Sequence, residues 1–258
     1  MAQESQDKPR WWRVFHEKFV VEERYMQPRA RTALYRTAAL LAAAGLAVFI
    51  ASLIGVLNKD GLASADQAEE QWFLTVRSEP LTTVMIVLAV VFGPVALPII
   101  ILAVTVAWGI FAKHAWRPLL LAAAMLTGVI LAQVISRIVE RPRPPVDLML
   151  FGPDGSFSFP SGHVLGASDF LLVTTFLVFS RYRNPKAAVI SFIVAVAGIF
   201  LIVACRLYLG YHWVSDAIAS VSLSLVVLGA VIAVDTWRTA RVPGEAVTGV
   251  LSGEPQGK

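Results

Sequence analysis

Four adjacent residues in the second half of the chain combine a helix-start signal with an acid–base side chain: Pro160, Ser161, Gly162 and His163. Pro160 resists an earlier helix and Ser161 is a favourable N-cap, so a helix is predicted to begin at Gly162. The unpaired backbone N–H groups at such a start attract anions, and Gly162 lets a ligand approach closely. His163 would give or take a proton there. An ordinary helix cap followed by an interfacial histidine is the plainer interpretation.

A second cluster contains Arg206, His212 and Asp216. If a helix starts near His212, Asp216 lies one turn further on the same face. A carboxylate at that position holds one imidazole nitrogen and leaves the other free as a nucleophile. Arg206 adds a positive charge for a phosphate. The aromatic residues of this stretch also fit simple anchoring at a membrane interface.

The third cluster is a proline-rich segment, residues 140–145, in which Arg141 and Arg143 alternate with prolines. Prolines keep such a segment extended, and in an extended chain residues two apart point to roughly the same side. Two guanidinium groups held in this way suit a phosphate. A basic loop that ends a helix is the alternative.

The composition indicates a membrane protein. Of the 258 residues, 57% are hydrophobic and 16% are charged, whereas about 25% charged residues is usual in soluble domains. This excludes a disordered chain, a collagen-like chain and a typical soluble enzyme. The single cysteine, Cys205, excludes an internal disulfide and a multi-cysteine metal site.

Six stretches are apolar enough to cross a membrane as helices. They are residues 37–57, 81–112, 118–136, 164–180, 187–205 and 217–234. The second is long and contains Gly93 and Pro94, so one kinked span is predicted there. The predicted fold class is an all-α bundle of six transmembrane helices. The predicted organisation is a basic N-terminal segment (1–36), a membrane domain (37–235) and a disordered tail (236–258).

Most of the 22 lysines and arginines lie in the two termini and in the loops around residues 113–117 and 181–186. Because cytoplasmic loops collect these residues, we expect both termini in the cytoplasm of a multi-pass plasma (inner) membrane protein. The loops 58–80, 137–163 and 206–216 then lie outside, and all three clusters fall on that extracytoplasmic side. The basic balance sets orientation and does not indicate nucleic-acid binding.

Two further features concern the ends and the interior of the bundle. Trp11, Trp12, Phe15 and Phe19 share a helical face, which predicts an interfacial amphipathic helix; a loosely ordered tail is the alternative. Asp169 is an ionisable residue within the fourth span, with Arg137 or a polar residue such as Gln133 as its expected partner.

Together the clusters resemble the type-2 phosphatidic acid phosphatase superfamily, which consists of integral membrane lipid phosphatases with a histidine nucleophile. The family pattern is Lys-x6-Arg-Pro, then Pro-Ser-Gly-His, then Arg-x5-His-x3-Asp. This chain matches it with Arg143-Pro144, with residues 160–163, and with Arg206, His212 and Asp216. The resemblance covers about residues 37–235.

The resemblance implies a role for each matched residue. His212 would attack phosphorus and form a phosphohistidine, Asp216 would orient it, and His163 would protonate the leaving oxygen. The phosphoryl oxygens would be bound by Arg143, Arg206, Ser161 and Gly162. The resemblance also implies that the enzyme needs no metal and no other cofactor.

The chain departs from the family pattern at one position, because Ser136 stands where the pattern has lysine. Either Arg137 reaches the phosphate instead or that contact is missing. Arg137 and Arg141 are therefore additional candidate phosphate ligands. The departure is compatible with altered substrate choice, lower activity or a degenerate member.

The sequence thus predicts a membrane phosphatase of lipid phosphates or diphosphates, with membrane lipids as its surroundings. An undecaprenyl-type polyprenyl diphosphate is the first choice of substrate, followed by phosphatidylglycerophosphate and phosphatidic acid. A non-catalytic lipid-phosphate binder or transporter on the same frame is a second hypothesis. A vanadium haloperoxidase, which has a similar pattern, is a third, but those enzymes are soluble.

Overall fold

A computed structural model describes residues 18–19, 21–180 and 184–245 of the chain. Within those ranges, eight α-helices and two short strands form. The helices are α1 (Pro28–Asn58), α2 (Asp66–Thr75), α3 (Glu79–Val91), α4 (Ala96–Phe111), α5 (Trp116–Val139), α6 (Gly162–Phe179), α7 (Pro185–Tyr208) and α8 (Val214–Thr239). The strands are β1 (Arg24–Tyr25) and β2 (Ala240–Arg241), and 3₁₀ turns cover Gly61–Ala65 and Val146–Leu148.

Five helices, α1, α5, α6, α7 and α8, are each long and apolar enough to cross a membrane. Helices α3 and α4 pass the same test only as a pair, and they are bent by 50° at the break between them. The break contains Gly93 and Pro94, where a kink was predicted. Counting this pair as one broken span gives the predicted all-α bundle of six.

Close helix packing depends on small residues. A side-chain carbon on Gly45 of α1 would lie 2.4 Å from the Ser222 carbonyl oxygen of α8. One on Gly229 of α8 would lie 2.6 Å from the Ala38 carbonyl oxygen of α1. The two helices therefore touch backbone to backbone, as small residues allow in membrane bundles. Large apolar side chains cover the outside of the bundle, such as Phe200, which is 70% exposed, and such a surface favours lipid over water.

The end of the bundle at which the described chain begins and ends is tied together by charged residues. Strand β1 pairs with β2 in parallel. Asp235 of α8 accepts hydrogen bonds from Trp116 Nε1 at 3.0 Å and from Arg117 Nη2 at 2.7 Å, at the start of α5. Since α5 and α8 meet at these ends, the end of α5 and the start of α8 lie together at the opposite end of the bundle. The three sequence clusters are found there.

Three expectations differ from the structure or lie outside it. Helix α8 continues to Thr239 and β2 follows, so the ordered chain extends beyond the tail boundary predicted at residue 236. The predicted N-terminal amphipathic helix lies almost wholly outside the described residues. Asp169 does not face Arg137 or Gln133, which are both exposed; its carboxylate fills the space beside Gly128, where a side-chain carbon would lie 2.1 Å from Oδ2.

Candidate active site

His212 is buried in the short segment between α7 and α8, and only 4% of it is exposed. Its Nδ1 lies 2.8 Å from the carbonyl oxygen of Ser158. Its Nε2 lies 3.1 Å from Nη1 of Arg143. A carbonyl oxygen only accepts and a guanidinium only donates, so the proton must be on Nδ1 and the lone pair on Nε2. The ring is thereby fixed with Nε2 as its nucleophilic atom.

Burial also keeps this imidazole neutral. It lowers the pKa of His212 to about 4, and the nearby charges of Arg206 and Arg143 act in the same direction, while Asp216 opposes them. At neutral pH Nε2 is therefore unprotonated, as a nucleophile must be.

Asp216 lies one helical turn after His212 and is fully buried. Its Oδ2 is 3.5 Å from Nδ1 of His212 and accepts a hydrogen bond from the Trp213 backbone N–H at 3.0 Å. The predicted pairing of His212 with Asp216 is thus present but loose. The Ser158 carbonyl is the nearer partner of Nδ1, and none of the sequence motifs includes Ser158.

Arg143 is held in place by the loop that precedes α6. It donates to the Ser156 carbonyl at 3.0 Å, to the Ser156 hydroxyl at 2.8 Å and to the Tyr211 carbonyl at 2.6 Å. Its Nη2 also lies 3.0 Å from Oδ2 of Asp154. Burial alone would raise the pKa of Asp154. Hydrogen bonds from Ser156 and the charge of Arg143 outweigh burial, and the pKa is lowered. Asp154 therefore carries a negative charge beside this candidate phosphate ligand.

Arg206 approaches the same place from the last turn of α7. Its side chain is buried and its guanidinium carbon lies 4.5 Å above the ring of Tyr211. Within the described parts of the chain, the buried Nε of Arg206 has no hydrogen-bond partner. The Nε–H of Arg206 is thus a donor available for an incoming anion. The ring of Tyr211 holds the guanidinium in place.

The helix start predicted after Pro160 is present. Ser161 is the N-cap of α6, and its hydroxyl accepts from the Val164 N–H at 3.4 Å. A side-chain carbon on Gly162 would meet nothing within 4 Å, so space is open in front of this helix start. His163 is half-buried, and its Nε2 would lie 3.5 Å from a side-chain carbon on Gly93. The break of the second span therefore lies against His163.

The two additional candidate phosphate ligands occupy different places. Arg141 donates to Asp216, to Asp66 at 2.5 Å and to the Ser215 hydroxyl at 2.8 Å. Its Nη groups are thus engaged by acceptors of the protein itself. Arg137 is exposed at the end of α5 and makes no hydrogen bond or ion pair with the described residues. Ser136, at the position of the family lysine, is half-buried.

The site brings in residues that no motif included. Asp66 is the first residue of α2. Asp154 and Ser156 come from the loop before α6, and Ser158 contributes only its carbonyl oxygen. Among the described residues, no three histidine, cysteine or carboxylate groups are arranged to hold a metal. The positive groups around His212 are those of a site for an anion.

Comparison with known proteins agrees with this chemistry. Residues 117–240 match the model of the PAP2 superfamily. The chain is 29% identical to phosphatidylglycerophosphatase B of Bacillus subtilis over 183 residues, which cover 70% of this chain and 88% of that protein. It is 33% identical to phosphatidylglycerophosphatase B of Escherichia coli over 88 residues, which cover 34% of this chain and 31% of that protein.

The structure resembles that of a transmembrane PAP2 type phosphatidylglycerolphosphate phosphatase from Bacillus subtilis. The TM-score is 0.64 at 28% sequence identity, and the match covers 73% of this chain and 94% of the other. The chain belongs to the PAP2 superfamily. As a PAP2 protein with several apolar helices, it is an integral membrane protein and a lipid phosphate phosphatase. This confirms the predicted family, fold class and type of enzyme.

Proposed function

We propose that this PAP2 protein dephosphorylates phosphatidylglycerophosphate by a phosphohistidine mechanism at the extracytoplasmic face of the membrane. The observation that carries the mechanism is the position of His212, whose Nδ1 faces the Ser158 carbonyl and whose Nε2 faces Arg143. The proposed substrate is supported by the relatives above, whose names refer to phosphatidylglycerophosphate. Polyprenyl diphosphate, the first choice from sequence, has no such support.

In the first step, Nε2 of His212 attacks phosphorus, a nitrogen–phosphorus bond forms, and the ester oxygen–phosphorus bond breaks. His163 gives its proton to the leaving oxygen, which departs as the hydroxyl group of phosphatidylglycerol. Arg143, Arg206, the Ser161 hydroxyl and the N–H of Gly162 hold the three remaining oxygens and their developing charge. Arrival of the anionic phosphate near His163 favours the protonated form that this step requires.

In the second step, water attacks the phosphohistidine and gives a proton to His163. The nitrogen–phosphorus bond breaks, orthophosphate leaves, and His212 returns with its lone pair on Nε2. Asp216 lies near Nδ1 and stabilises the positive charge that the ring carries while it is phosphorylated. Arginines supply the charge neutralisation that metal ions supply in other phosphoryl transfer enzymes.

The proposed orientation rests on the distribution of charge. The site lies at the end of the bundle away from β1 and β2, while basic residues are concentrated towards the termini. By the positive-inside rule, this distribution supports a site outside the membrane and both termini in the cytoplasm. A lipid phosphate in the outer headgroup layer would reach the site while its chains remain in the membrane.

A substrate panel tests this proposal. Wild type and His212→Ala are purified in detergent, and phosphate release is measured with EDTA present. The substrates are phosphatidylglycerophosphate, phosphatidic acid, polyprenyl phosphate and polyprenyl diphosphate. We expect release by wild type only, with the highest kcat/KM for phosphatidylglycerophosphate. A higher kcat/KM for polyprenyl diphosphate would overturn the substrate, and activity of His212→Ala would overturn the mechanism.

A further inference from the structure

Asp66 is joined to Asp216 through a single arginine. Arg141 donates from Nη2 to Oδ2 of Asp66 at 2.5 Å and from Nη1 to Oδ1 of Asp216. All three groups are largely shielded from water, since the side chains are 5%, 13% and 0% exposed for Asp66, Arg141 and Asp216. Charge-assisted hydrogen bonds are strong in such surroundings.

A second connection runs from Asp66 to the residue before Asp216. Oδ1 of Asp66 accepts from the Ser215 backbone N–H at 3.0 Å, and Oδ2 accepts from the Ser215 hydroxyl at 2.8 Å. That hydroxyl also accepts from Arg141 at 2.8 Å. Asp66 therefore binds the first turn of α8 directly, at the backbone N–H of Ser215, as well as through Arg141.

The charges explain why a second carboxylate is useful here. Arg141 alone would neutralise Asp216 and weaken its attraction for a positively charged His212 ring. With Asp66 sharing the same guanidinium, the trio of Asp66, Arg141 and Asp216 carries one net negative charge. That negative charge stabilises the imidazole ring of His212 when the ring becomes positively charged on phosphorylation. Removal of the Asp66 charge would leave Asp216 fully paired with Arg141.

We propose that Asp66 is a positioning residue for the phosphoryl transfer, acting on Asp216 and His212 through Arg141. It begins α2, which lies between the first and second spans. It is far from the three motifs in sequence, and it does not touch the phosphate. This inference rests on the proposed role of His212 as nucleophile.

A double-mutant cycle tests the route of the effect. The variants are Asp66→Asn, Arg141→Gln and the double variant, assayed on a short-chain phosphatidic acid in micelles. We expect Asp66→Asn to lower kcat by about 10–100-fold, because a small misplacement of a reacting group costs up to about 100-fold. KM should stay within about threefold. Because Asp66 acts through Arg141, the double variant should be as active as Arg141→Gln to within about threefold.

Controls separate positioning from loss of structure. Asp60→Asn makes the same chemical change at an exposed residue of the same loop and should match wild type. Asp66→Glu keeps the charge, and its kcat should fall between those of wild type and Asp66→Asn. If Asp66→Asn is too unstable to purify, Asp66→Glu should still have a lower kcat than wild type. Thermal unfolding is recorded for every variant.

Three results would overturn the inference: equal kcat for Asp66→Asn and Asp60→Asn, losses that multiply in the double variant, or a change confined to KM. If Asp66→Asn does not fold, an Asp66→Glu variant with the kcat of wild type but a lower unfolding midpoint would overturn it too. An error in the proposed substrate can be told apart from an error in the role of Asp66. In the first case, phosphatidylglycerophosphate would be a poor substrate while the short-chain phosphatidic acid is still hydrolysed.

Discussion

The carbonyl oxygen of Ser158 and Nδ1 of His212 lie 2.8 Å apart, although the residues are 54 positions apart in the chain. The carbonyl cannot rotate away or take up a proton, so it fixes the imidazole tautomer more firmly than the carboxylate of Asp216 at 3.5 Å. Asp216 is left to balance the charge of the phosphorylated ring. Orientation and charge balance are thus divided between two groups.

The first prediction concerns the pH dependence of activity. Burial lowers the pKa of His212 to about 4, below its value in the unfolded chain, and only the neutral ring attacks phosphorus. The acid limb of kcat/KM that belongs to His212 should therefore lie near pH 4. The measurement is a pH–rate profile corrected for the second ionisation of the substrate phosphate, near pH 6. A corrected limb at pH 6.5 would contradict the prediction.

The second prediction is that Asp154→Asn lowers KM. The Asp154 carboxylate lies 3.0 Å from Arg143 and repels an anionic substrate at that arginine. Its side chain is 34% exposed, so we expect a modest effect, roughly threefold, which shrinks at high salt. The exposed Asp147 lies in the same loop, and Asp147→Asn serves as the control. A higher KM in Asp154→Asn would show that the carboxylate instead holds Arg143 in its active position.

The third prediction is that Gly210→Ala lowers both stability and kcat. Gly210 has φ +77, and a side-chain carbon there would lie 2.4 Å from the Leu148 carbonyl oxygen. Backbone strain alone costs about 1–2 kcal/mol, and the clash would displace the segment that carries His212.

Gly152→Ala is the matched comparison for Gly210→Ala. Gly152 has φ +87, but a side-chain carbon there meets nothing within 4 Å, so this variant reports strain without the clash. Thermal unfolding in detergent should show the larger loss for Gly210→Ala. An equal loss of thermal stability in the two variants would indicate that the structure accommodates the contact with Leu148 at no cost in stability.

The fourth prediction concerns Glu69 in α2. Burial, followed by the charges of Asp66, Glu70 and Asp216, raises the pKa of Glu69 to about 8. Since the folded-state pKa exceeds the usual glutamate value of 4.5, the stability that Glu69 contributes is present below pH 4.5 and is lost as pH rises through 8.

Glu69→Gln should therefore unfold at a higher temperature than wild type at pH 9 and at the same temperature at pH 4.5. The exposed Glu79 provides the control variant Glu79→Gln, which should show no such difference between the two pH values. A Glu69→Gln protein that unfolds below wild type at pH 9 would contradict the prediction.

Much of the fold could be predicted because the membrane limits the possibilities. Apolar stretches long enough to span must form helices, and Gly93 with Pro94 predicted the break between α3 and α4. Ser161 as N-cap and the one-turn spacing of His212 and Asp216 are local features, so they too could be predicted from their immediate neighbours.

The contacts between distant loops could not be predicted in the same way. Asp66 is one acidic residue among several in its loop, and only the packing of that loop on α8 brings it to Arg141. Residues two apart in an extended segment were expected to point to one side, yet Arg141 pairs with Asp216 while Arg143 meets Nε2 of His212. The two arginines instead contact different members of the His212–Asp216 pair.

The identity of the phosphorylated nitrogen decides most directly whether His212 attacks through Nε2. Wild type would be mixed with ³²P-labelled phosphatidylglycerophosphate, quenched in alkali within milliseconds, digested and compared with the two phosphohistidine isomers by chromatography. Because Nδ1 is occupied by the Ser158 carbonyl, we predict the isomer phosphorylated on Nε2 of His212, with none in Asp216→Asn beyond a trace. Phosphate on Nδ1, or on a residue other than His212, would show that Nε2 of His212 is not the nucleophile.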